Sequence, residues 1–503
     1  MFSSFKFYFL TILIFNHKLH TMKKNLLLCF LLIRISILGA QENNIGSGIA
    51  VSLNGVTNNY LALGDVFNDL NFPLTIEAWV NPTSWTPGGY SPIIATDNVG
   101  VGGSYYGFWF RFNSSGKLIF EIGDGSGSGG SDRRGKVTTS AVALNKWTHV
   151  AVVATSVTDI KFYFNGVLQL SSSTDGGASN TSIVHTVYPA IIGGHITPTT
   201  QHNFKGQIDE VRIWDTVRTE AELRENLCLK INEISTYLIG YWNFNESYGD
   251  PFTFNLSEPT DTAFIVGSVT KVTSGAPIGD EVVYLYATDY AGLNLTLNSA
   301  GGDKMKINKI GNNPYGIHLY RVNSAPYSTL GLVNHPNYYF GVFTADGATA
   351  AKYNSNYIYS FANGVITPFN EEFATAFQRV DGSVATWTDF LATLSIPNSS
   401  LVKKNCIGRG EHILNIPFVN EMKAEITPEL EVFPNPSADY FITKSLSTNP
   451  ITVSDNQGKI IRHYTVFEVG ELITLDLSRL PAGNYFVSQQ VNGKNITSKI
   501  VKQ

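Results

Sequence analysis

Charge is scarce in this chain. Asp, Glu, Lys and Arg make up 15% of its 503 residues, and the net charge of −5 is spread without blocks. Nucleic-acid recognition needs a basic patch or stripe, so that function class is excluded. Cysteine is scarcer still: Cys29, Cys228 and Cys406 are the only three, and none forms a C-x-x-C pair, which excludes cysteine-based metal chemistry. Cys29 falls in an N-terminal leader, which leaves Cys228 and Cys406. Their disulfide is open in an oxidising compartment and would tie two different domains together. Long apolar runs are missing beyond the first forty residues, so no transmembrane segment is expected in the mature chain. Helical patterning is nearly absent as well. Its best instance is Thr219-Glu220-Ala221-Glu222, a capping box, with Leu223 and Leu227 following at helical spacing.

What the chain does have is the material of strands and tight turns. Glycine numbers 45, Tyr 24 and Phe 31, and hydrophobic residues reach 43%, enough for real cores. The length suggests roughly three or four domains. Asn-Gly pairs at Asn54-Gly55, Asn165-Gly166, Asn363-Gly364 and Asn492-Gly493 punctuate strand-like runs. Asn-Gly suits a type I′ turn because both central residues need positive φ. The clearest hairpin runs Ile160-Lys161-Phe162-Tyr163-Phe164, Asn165-Gly166, Val167-Leu168-Gln169-Leu170. Ile160, Phe162 and Phe164 share its core face. The fold class is therefore all-β and antiparallel.

The leader reads Met22-Lys23-Lys24-Asn25, then an apolar stretch from Leu26 to Leu38, then Gly39-Ala40-Gln41. A basic start, a short apolar run and a small-residue exit make 1–40 a signal peptide, with Met22 as its expected true start. Composition divides the rest. The proline-marked stretch 245–261 and the polar stretch 417–429 read as linkers, which gives blocks at 45–245, 262–416 and 430–503.

The first block resembles the laminin-G-like, concanavalin-A-like jelly rolls. The resemblance rests on Ser52-Leu53-Asn54-Gly55 with Tyr60-Leu61-Ala62-Leu63, on Leu74-Thr75-Ile76-Glu77-Ala78-Trp79-Val80, on Lys146-Trp147-Thr148-His149-Val150-Ala151, and on the closing run Phe204 to Trp214. Ile76, Ala78 and Val80 alternate with Thr75, Glu77 and Trp79, so one set faces between the sheets and the other faces a concave surface or solvent. Trp79, Trp147 and Trp214 are expected to pack the sandwich. The loop from Trp85 to Tyr90 and the pair Tyr105-Tyr106 present aromatic rings that can stack on sugars or anchor a partner protein. Trp85, Tyr90, Tyr105 and Tyr106 are therefore the ligand-binding candidates. The resemblance also implies a structural Ca²⁺, with Asn54 and Asp209 at the matching positions. Asn54 stands where Asp is usual, which removes a charge from such a site.

No catalytic set is legible. Glycoside hydrolysis needs two carboxylates across the scissile bond. Asp209 and Glu210 are adjacent on a strand and should point to opposite faces. His149, His185, His195 and His202 show neither triad nor metal spacing. Gly125, Gly127 and Gly130 match G-x-G-x-x-G formally, but no βαβ unit surrounds them, so the match is read as accidental.

The middle block alternates as strands, for instance Glu281 to Tyr286 and Tyr338 to Phe343, and suggests an Ig-like or related sandwich without a chemical motif. The last block resembles the type A sorting domain of the type IX secretion pathway. The carrying residues are Val432-Phe433-Pro434-Asn435-Pro436-Ser437, the run Ile451 to Lys459, Leu480-Pro481-Ala482-Gly483-Asn484-Tyr485, and Lys499-Ile500-Val501-Lys502. Phe433 stands where Tyr is more usual. A small seven-strand sandwich that engages the secretion machinery is implied. The sequence thus points to a secreted or outer-membrane surface-attached binding protein whose partner is a glycan or a surface protein. A glycoside hydrolase working on the jelly roll's concave face is the alternative.

Overall fold

The alternation at Leu74–Pro82 makes a strand with Ile76, Ala78 and Val80 on one face, and burying that face requires a second sheet. The computed structural model supplies it. It describes residues 47–85, 89–96, 105–127, 132–174, 179–196, 201–299, 302–311, 314–345, 354–361, 371–406, 408–416, 429–491 and 493–503. The leader, the Asn363-Gly364 pair and the stretch 417–428 lie outside the described residues. The chain divides into two units, 1–417 and 418–503. Among the described residues no helix is long and apolar enough to cross a membrane.

The first sandwich has an eight-stranded and a nine-stranded sheet. In the eight-stranded sheet Leu74–Pro82 lies between Thr148–Ala154 and Lys205–Trp214, and Ile49–Asn54 follows on the far side of Lys205–Trp214. In the nine-stranded sheet Arg133–Ala141, Lys117–Gly123, Phe108–Asn113, Tyr90–Ala95 and Ala190–Ile192 run side by side. Between the sheets lie Val51, Ile76, Ala78, Val80, Phe108, Phe110, Phe112, Phe120, Val150, Val152 and Phe162, all closed to solvent. The Asn165-Gly166 turn has positive φ at both residues, +50° and +71°, as a type I′ hairpin requires. The helix Glu220–Asn226 starts on the predicted box: Thr219 Oγ1 accepts from the Glu222 N–H, and the Glu222 carboxylate accepts from the Thr219 N–H.

This sandwich runs further along the chain than the 245 boundary. Phe252–Phe254 pairs with Thr262–Val266, which pairs with Tyr60–Gly64, and Thr270–Thr273 pairs with Ile49–Asn54. The stretch 245–261 read as a linker holds one of these edge strands, Phe252–Phe254, and the turns on either side of it.

The second sandwich of the unit has a six-stranded sheet, centred on Gly316–Val322, Tyr339–Ala345 and Gly410–Asn415, and a five-stranded sheet. It does not hang from the first. Trp79, Trp147, Leu227 and Cys228 share one buried cluster with Tyr320, Phe343, Trp387 and Ile413. Trp79 stacks edge-on against Phe343 at 5.2 Å and donates its indole N–H to the Leu227 carbonyl at 2.9 Å. The Arg409 guanidinium bridges the two sandwiches, donating to the Trp147 carbonyl at 2.7 Å and the Thr344 carbonyl at 3.1 Å. Trp79 and Trp147 therefore pack the joint between two sandwiches rather than the inside of one. Trp214 packs with Leu238 and Tyr241 on the same outer face.

Cys228 belongs to this joint and Cys406 to the core of the second sandwich, and both are free thiols. The bridge left open by the sequence is not formed. Burial pushes Cys406 up to about 11 and Cys228 well above the ordinary thiol value, so both are inert.

The second unit is a seven-strand sandwich of three-stranded and four-stranded sheets around Leu430, Phe441, Ile451, Val453, Leu475, Val487 and Ile500. Its entry motif has a mechanical role. The Asn435 amide donates to the Lys499 carbonyl at 2.8 Å and accepts from the Val501 N–H at 2.9 Å, clamping the last strand, Lys494–Lys502.

Candidate functional site

The helix Glu220–Asn226, the segment that follows it and the joint together cover the outer face of the eight-stranded sheet, and with it several residues on which chemistry could have rested. Glu77 is closed to solvent, 3.1 Å from His149 Nε2, and accepts from the Trp214 indole at 3.0 Å. Burial alone would make it a weaker acid and raise its pKa. His149, Arg212 and Trp214 outweigh that and hold the carboxyl down at about 2. Asp209 and Glu210 do not obey the expected alternation. The ladder slips between Asp209 and Arg212, and Glu210 takes φ +51°. Both carboxyls therefore enter one buried network. Asp209 accepts from Ser274 Oγ at 2.5 Å, and Glu210 accepts from Arg212 at 2.5 Å and from Tyr241 Oη at 2.8 Å. Burial and the Glu210 charge push Asp209 well above the carboxylate range. Substrate reaches none of these acids.

Asn54 and Asp209 are not brought together. Asn54 pairs with Lys205, four residues before Asp209 on the same strand, which places the two about 13 Å apart at a normal strand rise. Asn54 Oδ1 accepts from the Asn59 amide at 2.7 Å and the Val56 N–H at 3.0 Å, while Asp209 is committed to Ser274 and the Glu210 N–H. The pair does not fit a shared Ca²⁺, which wants six to eight converging oxygens.

The outer face of the nine-stranded sheet is built differently. Phe108, Phe110 and Phe112 point into the core, so Trp109 and Arg111 point out. Cross-strand neighbours extend the row: Ala95, Trp109, Glu121 and Gly135 lie opposite one another in turn, and Arg133 lies opposite Gly123. Glu121 pairs with the Arg111 guanidinium and lies 3.4 Å from that of Arg133. Arg111 stacks on Tyr90 at 3.5 Å and on Trp109 at 4.8 Å, and Arg133 lies over Tyr105 at 4.9 Å. The hairpin of Gly194–Ile196 and Gln201–Asn203 sets His195 opposite His202, with rings stacked at 6.0 Å. His195 touches Trp109 at 4.7 Å, and His202 touches Tyr90 at 5.1 Å. Trp109, Arg111, Glu121 and His195 form a buried floor, and Tyr90, Tyr105, Arg133 and His202 a half-buried rim.

The electrostatics follow from this packing. Burial first, then the neighbouring guanidiniums, hold His202 down to about 4 and His195 well below the ordinary imidazole value. Both rings are neutral at pH 7. Burial opposes the charge on Arg133, but the Glu121 carboxylate beside it reverses that and raises its value. Four buried nitrogens of the cluster have no hydrogen-bond partner: Trp109 Nε1, Arg111 Nε and Arg133 Nε, which are donors, and His195 Nε2, whose role follows its tautomer. Buried polar groups are mostly partnered in folded proteins, so the cluster holds unspent hydrogen-bonding capacity beneath its half-buried rim.

Of the four aromatic candidates, the structure brings Tyr90 and Tyr105 into this cluster. Trp85 packs instead on Phe112 at 5.0 Å, at the rim of the hydrophobic core. Tyr106 lies against Gly125, where a β-carbon would meet the ring at 2.3 Å. Gly125 and Gly127 of the glycine run are thereby explained, and Gly130 lies outside the described residues. Gly125, at φ +76°, donates its N–H to the Tyr105 carbonyl at 2.7 Å, and the Tyr105 N–H donates to the Gly127 carbonyl at 2.8 Å. The turn holds Tyr105 over the sheet. Trp109, Arg111, Glu121 and Arg133 escape sequence reasoning, and His195 and His202 enter it only through their lack of triad or metal spacing. The available signal was Phe-Trp-Phe-Arg-Phe at 108–112, where a Trp and an Arg alternate with core phenylalanines.

Residues 54–224 match the model of the concanavalin A-like lectin/glucanases superfamily, and residues 431–503 that of secretion system C-terminal sorting domains. The comparison with curated proteins gives no match. Among solved structures, the chain is similar to a Bacteroides ovatus protein assigned provisionally to carbohydrate binding, at 19% identity and TM-score 0.33 over 46% of this chain. It spans 62% of that protein's length. It is also similar to a heptameric SAP-like pentraxin from Limulus polyphemus, at 15% identity and TM-score 0.25, covering 36% of this chain and 82% of that one. A third likeness is to the CBM40 of the Ruminococcus gnavus IT-sialidase, at 17% identity and TM-score 0.27, covering 34% of this chain and 95% of that one. The chain thus carries a laminin-G-like, concanavalin A-like domain followed by a secretion system C-terminal sorting domain, which marks it for type IX export as a secreted or surface-attached protein.

Proposed function

We propose that the protein is a carbohydrate-binding protein of the cell surface, and that the outer face of the nine-stranded sheet is its binding face. The observation that carries this is the half-buried rim of Tyr90, Tyr105, Arg133 and His202, set over a floor of Trp109, Arg111, Glu121 and His195 that holds unpartnered nitrogens. Aromatic rings cover the apolar faces of sugars, and directed N–H groups take their oxygens. The hydrolase alternative has less support. Retaining and inverting mechanisms both need two carboxylates. The cluster offers Glu121, already held by two guanidiniums, and no second acid among its described members.

Replacing Tyr105 by alanine is expected to weaken binding on a glycan array about tenfold, the loss of one stacked ring at a binding centre. Thermal unfolding should stay within a degree or two of the parent, because Tyr105 is half-buried and outside the main core. An array on which parent and variant are equally blank would sink the proposal. Export is tested separately: deletion of 430–503 should leave the protein in the periplasm, and cell fractionation showing normal surface delivery would contradict the role of the tail.

A further inference from the structure

On the reading that this face binds carbohydrate, we infer that its ligand is an acidic sugar, one carrying a carboxylate, rather than a neutral one. The inference comes from counting what the cluster can give and take. Trp109, Arg111 and Arg133 are donors only. Each has a buried nitrogen with no acceptor. The carboxylate in the cluster, Glu121, is engaged by Arg111 and Arg133 together. Two guanidiniums against one carboxylate leave a single net positive charge, since His195 and His202 stay neutral there.

A neutral sugar is poorly matched to such a lining. Each hydroxyl both donates and accepts, and a face rich in donors leaves the hydroxyl hydrogens without partners. A carboxylate accepts only. Its planar pair of oxygens suits the edge of a guanidinium, and hydrogen bonds between two charged groups are the stronger kind. Arg133 is the group placed to make that contact. It belongs to the half-buried rim, whereas Arg111 is stacked between Tyr90 and Trp109. The same carboxylate chemistry occurs in hexuronic acids and in sialic acids, and the test separates these sources.

The full mature chain would be titrated with four probes: polygalacturonate, its carboxyl-reduced counterpart, a sialylated oligosaccharide and the same oligosaccharide without sialic acid. Binding of one acidic probe about tenfold or more above its neutral counterpart, weakening as salt is raised, is the expected result. The arm that responds names the source. Arg133→Gln should bring the acidic probe down to the level of its neutral counterpart, and Arg133→Lys should restore part of the preference. Equal binding of acidic and neutral probes would overturn the acidic ligand and leave carbohydrate binding standing. Failure of every glycan, here and on the array, would overturn both. The comparison on the parent protein decides the matter even if the Arg133 variants fail to fold.

Discussion

Replacing Trp79 by alanine is expected to destabilise the first unit by about 4 kcal/mol, the middle of the range for removing a buried aromatic. Trp79 is closed to solvent, yet it lies on the outer face of its own sandwich. Its ring touches Phe343 of the second sandwich and His149 of the first, and its N–H is bonded to Leu227. Truncation leaves a cavity in the joint and an unpartnered carbonyl. Trp79→Phe keeps most of the volume and should cost less. Urea unfolding followed by tryptophan-independent circular dichroism measures both. A loss below about 1 kcal/mol for the alanine variant, the range of ordinary surface changes, would show that the sandwiches do not stabilise each other through this side chain.

Glu77→Gln is the second change with a large expected effect, and it carries a pH signature. The folded carboxyl lies at about 2, below its ordinary 4.5. A depressed carboxylate stabilises the fold above the ordinary value, and that stability is lost as pH falls toward the folded one. Linkage makes the contribution about 3 kcal/mol. The glutamine variant should therefore be less stable by roughly that amount at pH 7, and its stability should fall less steeply than the parent's between pH 4.5 and 2. Asp209→Asn is the opposite control. Its carboxyl is raised by burial and by Glu210, so the parent loses stability there as pH rises, and the neutral variant should not suffer at pH 7. Parallel acid limbs for parent and Glu77→Gln would refute the assignment.

Much of this architecture was readable from period and turn chemistry. The face of Leu74–Pro82 carrying Ile76, Ala78 and Val80, the Asn165-Gly166 hairpin and the Thr219 capping box all follow from local rules. What covers the opposite face was not readable. Alternation says that Thr75, Glu77 and Trp79 share a side, but not that a second sandwich meets it at Trp79, because that contact joins residues more than two hundred positions apart. The slip at Asp209–Arg212 defeated the alternation rule outright, since irregular residues reset which face each side chain takes. The binding cluster was half legible. Tyr90 and Tyr105 stand out as loop aromatics, whereas Arg111, Glu121 and Arg133 come from three strands and acquire meaning only in register.

The Asn435 clamp has a consequence for how the last unit closes. Beside it, Ser437 bridges to Lys502, and the Ser437 carbonyl accepts from the Gln503 N–H. The beginning and end of the second unit are thus fastened to each other, and every strand of its two sheets pairs within them. Among the described residues, no ladder of either unit would lose a partner strand if the chain were cut ahead of Leu430, so the last unit closes its strand pairing within itself.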